Sequence, residues 1–229
     1  MHASGDDLLE CVERETGPDP AHCVVWLHGL GADGNDFAPI VPQLRSAASR
    51  PVRFVFPHAP VRPVTINGGM RMRAWYDIRG PRLSRDQDAE GIADSLSRVD
   101  ALLDSEIRRG FAPERIVLAG FSQGGAIALR CGLARSPGLA GVVALSCYLL
   151  QADELGRWLT DGGRGTPVFV GHGSMDPMVP AELGRDAARR LEAEGLDCAW
   201  RTWPVAHGVH PDEIAAIDDW LERRFEAAR

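Results

Sequence analysis

The run RIVLAGFSQGGAIALRCGLA, from Arg115 to Ala134, decides the reading of this chain. Its first part, RIVLA, is a short apolar stretch that reads as a buried strand, and its last part, GAIALRCGLA, reads as a helix. Between them stand Gly120-Phe121-Ser122-Gln123-Gly124, with Gly125 following. A G-x-S-x-G run that leaves a strand and enters a helix turns too tightly for side chains beside the serine. Glycines therefore flank it, and the serine hydroxyl is lifted clear of the sheet above a helix N-terminus. Ser122 is the candidate nucleophile.

A serine hydroxyl is a poor nucleophile until a base takes its proton, and the base needs an orienting carboxylate. With a nucleophile on such an elbow, the chain order is serine, acid, histidine. The histidines after Ser122 are His172, His207 and His210. Asp176 lies in GHGSMDP just past the apolar run PVFV, the loop where the acid belongs; its bland alternative is a turn cap before Pro177. His207 follows the last expected strand and precedes the last helix, as an overhanging base would, whereas His210 abuts Pro211 and reads as a turn residue. Catalysis also needs donors for an oxyanion. The backbone amide of Gln123, next to the nucleophile, is one, and the amide of Leu30, in the loop HGLG after CVVWL, is the second.

Outward from the elbow, short apolar runs alternate with amphipathic ones, the pattern of βαβ units. Strands are expected at Cys23–Leu27, Val52–Phe56, Arg115–Ala119, Gly141–Leu145, Pro167–Val170 and Asp197–Trp203, with an antiparallel edge strand in Leu8–Arg14. Helices are expected at Asp36–Ala48, Asp86–Arg109, Gln123–Arg135, Ala181–Glu194 and Asp212–Ala227. Ser84 with Gln87 reads as a capping box for the longest, and Pro211 suits the start of the last. The expected fold class is α/β, a mostly parallel central sheet with helices on both faces, in a single domain over residues 1–229. Ala59–Gly80 is a longer excursion than a compact α/β connection needs, and such excursions tend to be functional. Between Leu150 and Thr166 only a short helix, Asp153–Leu159, fits, which leaves no room for a large cap domain.

Composition removes several classes of function. All 25 basic residues are Arg, so mechanisms that need a lysine amine, whether a Schiff base or a phosphate-binding P-loop, are excluded. A net charge of −7 with scattered Arg disfavours nucleic acid. Gly29-x-Gly31-x-x-Gly34 spells a dinucleotide fingerprint, but the end of the next strand, Val55-Phe56-Pro57-His58, lacks the acid that would hold a ribose. There is no H-E-x-x-H, so no metal is expected; His28 and His172 read as hydrogen-bonded structural residues. Acids in Met1–Glu13, an apolar stretch too short to span a bilayer at Leu139–Leu150, and five cysteines without a C-x-x-C pair lead to the expectation of a soluble, cytoplasmic protein with no membrane insertion.

The blocks LHGLGADGNDF, FPHAP, RPVTINGGMRMRAWYDI, LAGFSQGGA, ALSCYL, GHGSMDPMVP and the AHGV stretch at His207 run in order from Leu27 to His207. Together they resemble the phospholipase/carboxylesterase family of α/β-hydrolases, which includes bacterial carboxylesterases and acyl-protein thioesterases. The resemblance implies the α/β-hydrolase fold, with Ser122, Asp176 and His207 as the triad and the Leu30 and Gln123 amides as the oxyanion hole. It also implies that Trp75, Ile78, Tyr148 and Met178 line an acyl pocket. Ala206 stands where the family more often has glycine. The implied activity is cofactor-free hydrolysis of small-molecule esters or thioesters of short to medium acyl chains. A catalytically silent α/β-hydrolase acting as a ligand-binding module is the alternative of another class, separable by reaction with a serine-directed phosphonate. The sequence leaves the oligomeric state open; the apolar lip of an acyl pocket could serve a homodimer.

Overall fold

The computed structural model describes residues 8–83 and 86–227. In chain order the strands are β1 (Cys11–Glu15), β2 (His22–Leu27), β3 (Val52–Pro57), β4 (Val61–Val64), β5 (Met70–Arg73), β6 (Ile116–Phe121), β7 (Gly141–Leu145), β8 (Val168–Gly173) and β9 (Cys198–Trp203). The α-helices are α1 (Arg45–Ser49), α2 (Ala89–Arg109), α3 (Gln123–Gly132), α4 (Leu155–Trp158), α5 (Asp161–Arg164), α6 (Ala181–Ala193) and α7 (Pro211–Ala227). Seven strands form one sheet in the order β1-β3-β2-β6-β7-β8-β9, and β4 and β5 form a separate hairpin. β1 pairs antiparallel with β3 at the edge, and every other pair in the main sheet is parallel.

Central strands covered on both faces read as continuous apolar runs. In β2, Cys23, Val25 and Leu27 join Leu102, Ile127 and Leu191 in one core, beside α2, α3 and α6. Val24 and Trp26 face the other way and join Ala47, Ile217, Trp220 and Phe225, from α1 and α7. The fold is an α/β-hydrolase fold with helices on both faces and no large cap over the described residues.

Two of the expected helices change. Asp36–Ala48 is not one helix: a 3₁₀ turn over Ala38–Gln43 ends at extended Leu44, and only Arg45–Ser49 is α-helical. Pro42 lacks the amide a continuous helix would use there, and its ring clashes with the preceding turn. The helix expected from Asp86 starts at Ala89, because Asp88 turns its carboxylate to the Asp77 amide and the Arg79 guanidinium instead of capping. Of the capping box expected from Ser84 and Gln87, Ser84 lies outside the described residues. The excursion after β3 holds the β4–β5 hairpin, which turns at left-handed Gly68 and Gly69.

The chain order places the site. From β2 the sheet grows one way to β3 and then the other way through β6, so the topological switch point lies between β2 and β6, where a crevice opens at the carboxyl ends of parallel strands. Leu27 at the end of β2 is in register with Gly120 near the end of β6. The loop His28–Gly31 and the elbow at Ser122 therefore emerge side by side. β8 and β9, farther along the same sheet, deliver Asp176 and His207 to the same rim.

Candidate active site

Ser122 sits on the turn with φ 55° and ψ −119°, a strained conformation for a residue with a side chain. Gly120 lets the turn close, and Gly124 lets it pack against the end of β2. A Cβ on Gly120 would lie 2.3 Å from the Gly124 carbonyl oxygen, and one on Gly124 would lie 2.5 Å from that of His28.

The hydroxyl of Ser122 meets His207 Nε2 at 3.0 Å, and His207 Nδ1 meets Asp176 Oδ2 at 2.6 Å. The other carboxylate oxygen accepts the amides of Met178 and Val179, at 2.8 and 2.9 Å, which fixes the plane of the carboxylate. The two loops are tied together: the amides of Ser174 and Met175 donate to the carbonyls of Trp203 and Val205. The ring of Phe121 packs on that of His207, centroids 4.8 Å apart. The arrangement can pass a proton from Ser122 to His207 while the buried carboxylate orients the imidazole. His210 is turned away; its Nδ1 accepts the Asp212 amide at the start of α7.

Gly29, Leu30, Gln123 and His207 line a cavity of about 690 Å³ together with Ser122. The Leu30 and Gln123 amides have no acceptor among the described residues, so both are free to meet an oxyanion. The Leu30 loop is held from behind. Gly31 donates its amide to the Arg73 carbonyl at the end of the hairpin, 2.9 Å. His28 accepts the Ala59 amide on Nε2, 3.0 Å, which leaves the proton on Nδ1 to donate to the Gly29 carbonyl, 2.7 Å. Burial lowers the His28 pKa to about 4, keeping the ring neutral in that role. His172 is likewise lowered by burial, and its Nε2 donates to the Val179 carbonyl, bracing the Asp176 loop. Among the described residues no three His, Cys, Asp or Glu side chains are grouped to hold a metal ion.

Of the four expected pocket residues, Ile78, Tyr148 and Met178 line the cavity and Trp75 does not. Trp75 is wholly buried behind the site, where its indole N–H donates to the His28 carbonyl at 2.8 Å. The neighbouring Tyr76 takes the wall position instead. Backbone alternation exchanges the two, and no local signal announced which ring would face the cavity. Sequence reasoning also missed the side chain of Gln123. Its Oε1 accepts the Trp75 amide at 2.7 Å and its Nε2 donates to the Tyr76 carbonyl at 2.6 Å. One buried amide thus clamps the elbow to the excursion, and the Trp75 indole ties the excursion to the loop that starts at His28.

Comparison with known proteins gives the family. The sequence model of the phospholipase/carboxylesterase family matches residues 10–224. Acyl-protein thioesterase 1 of Gibberella zeae is 40% identical over 211 residues, covering 88% of this chain and 90% of the relative. Carboxylesterase SOBER1 of Arabidopsis thaliana is 32% identical over 210 residues, covering 90% of this chain and 91% of its own. The crystal structure of SOBER1 superposes with a TM-score of 0.83 over 89% of this chain and 98% of its own, at 32% identity. That of Zea mays acyl-protein thioesterase 2 gives 0.78 at 26% identity, covering 93% of this chain and 99% of its own. With the match spanning nearly the whole chain, and relatives alike in both sequence and fold, the chain belongs to the phospholipase/carboxylesterase family, serine hydrolases built on the α/β-hydrolase fold.

Proposed function

We propose that this protein hydrolyses carboxylic esters, and thioesters by the same route, of short to medium acyl chains through an acyl-enzyme on Ser122. The observation that carries the reading is the continuous chain of contacts from Asp176 through His207 to Ser122, at 2.6 and 3.0 Å, at the wall of a cavity also lined by Leu30 and Gln123, whose amides have no acceptor among the described residues. Ser122 Oγ attacks the acyl carbonyl as His207 Nε2 takes its proton. Asp176 stabilises the imidazolium, and the oxyanion rests on the Leu30 and Gln123 amides. His207 then gives the proton to the departing alcohol or thiol, and water repeats the sequence on the acyl-enzyme. No cofactor is needed. Ile78, Tyr148 and Met178, with Tyr76, form the acyl wall. The relatives named as acyl-protein thioesterases support an acyl group on a larger leaving group. A reducing, cytoplasmic setting suits the five cysteines. Among the described residues no helix is long and apolar enough to cross a membrane.

The test is labelling with a fluorophosphonate, read by mass spectrometry, beside hydrolysis of p-nitrophenyl butyrate. A single adduct is expected on Ser122. Ser122→Ala and His207→Ala should each lose roughly a millionfold in kcat. His210→Ala should cost little, because its ring meets only the α7 turn. An adduct elsewhere, or an active Ser122→Ala enzyme, refutes the mechanism; no adduct and no hydrolysis would point to a silent ligand-binding protein.

A further inference from the structure

Tyr76 and Tyr148 are both buried, and their hydroxyls bond to each other at 2.8 Å. Burial pushes both phenols up, Tyr148 to about 12, so the pair stays neutral. Both rings line the cavity that contains Ser122, and Tyr148 also lines a second cavity of about 520 Å³. The two spaces follow the same walls. The segment after β5 gives Ile78 and Leu83 to the first and Gln87 to the second; the chain from Asp176 into α6 gives Val179 to the first, then Leu183 and Arg190 to the second. The two cavities adjoin at Tyr148, whose hydroxyl bonds that of Tyr76. Their chemistry differs. The second compartment carries the carboxylates of Asp86, Asp153, Glu154 and Asp186 at its rim, above an apolar floor of Ile92, Leu149 and Leu183.

We propose that the Tyr76–Tyr148 pair is the end stop of the acyl groove and sets the longest acyl chain that gains from binding. The proposal rests on the esterase reading above. A chain entering from Ser122 buries its methylenes against the walls of the first compartment, each worth about fourfold in kcat/KM, until it meets the two rings. Beyond them it gains nothing, because the phenols close the way to the second floor. Removal of the Tyr148 ring joins the compartments and lets the chain continue over Ile92 and Leu149.

The experiment is kcat/KM on p-nitrophenyl esters from acetate to palmitate, read within each variant as the ratio of successive chain lengths, so that any general loss of activity cancels. The wild-type ratios should rise and then break to flat. Tyr148→Ala should move the break to longer chains by at least one two-carbon step, and Tyr148→Phe, which keeps the ring, should leave it in place. Tyr148→Leu carries the same expectation as the alanine variant if a thermal melt shows that the alanine variant does not fold. A break unmoved in the shortened variants, or a wild-type series that never breaks, overturns the stop. A wild-type enzyme that turns over no ester of any length fails at the esterase reading itself, an outcome distinct from a misplaced break.

Discussion

Replacing Gln123 by leucine should destabilise the protein by about 2–4 kcal/mol. The side chain is buried and bridges two consecutive backbone groups, the Trp75 amide and the Tyr76 carbonyl. Leucine fills similar space and bonds neither, leaving one buried donor and one buried acceptor unpaired, at about 1–3 kcal/mol each. The lower part of that sum applies, because the Trp75 indole still bonds the His28 carbonyl and the Ser95 hydroxyl still donates to the Trp75 carbonyl, which holds the ring in place. A fold of ordinary stability survives the loss. Urea unfolding followed by tryptophan fluorescence should show a midpoint lowered by about 1 M, at a slope of about 2–3 kcal/mol/M. Gln123→Glu sharpens the test. A protonated glutamic acid can still accept from Trp75 and donate to Tyr76, while the carboxylate turns an acceptor toward a carbonyl. Its destabilisation should therefore be smaller at pH 5 than at pH 8. A Gln123→Leu midpoint indistinguishable from wild type would show that the clamp contributes nothing and that the excursion is held by its other contacts alone.

Glu213, at the start of α7, is wholly buried with Oε1 unpartnered among the described residues, and burial raises its pKa from 4.5 to about 7. Between those values the fold keeps a proton that the unfolded chain has released, so this group's contribution to stability falls as pH rises through that window and is flat above it. Glu213→Gln should consequently gain on wild type by at most about 3 kcal/mol more at pH 8 than at pH 4 in urea unfolding; an equal difference at both pH values would refute the shift. Ser122→Gly and Ser122→Ala should both be inactive, yet the glycine variant should be the more stable by about 1 kcal/mol, because only glycine adopts the strained turn at ease. The reverse order of melting would mean that the elbow stores no strain.

The main sheet, the elbow and the chain order of Ser122, Asp176 and His207 are legible in the amino-acid sequence. Central parallel strands are buried on both faces, so CVVWL, RIVLA and GVVAL stand out as unbroken apolar runs. At Ser122 the constraint is local at Gly120, where a Cβ would meet the Gly124 carbonyl inside the turn, and tertiary at Gly124, where one would meet the His28 carbonyl just past the end of β2. The break in Asp36–Ala48 is local as well, since Pro42 cannot continue a helix there. The phase of the excursion is settled only in the folded chain. Nothing local could have shown that Trp75 turns inward to the His28 carbonyl while Tyr76 faces the cavity, or that the Gln123 amide reaches across to hold them both. A sheet strand takes its phase from two buried faces and a register with its neighbours. The excursion after β3 is a half-exposed hairpin that pairs only with itself, so its phase is fixed by distant groups, the Gln123 amide, the Gly31 amide and the Asp88 carboxylate, which only the assembled fold brings together.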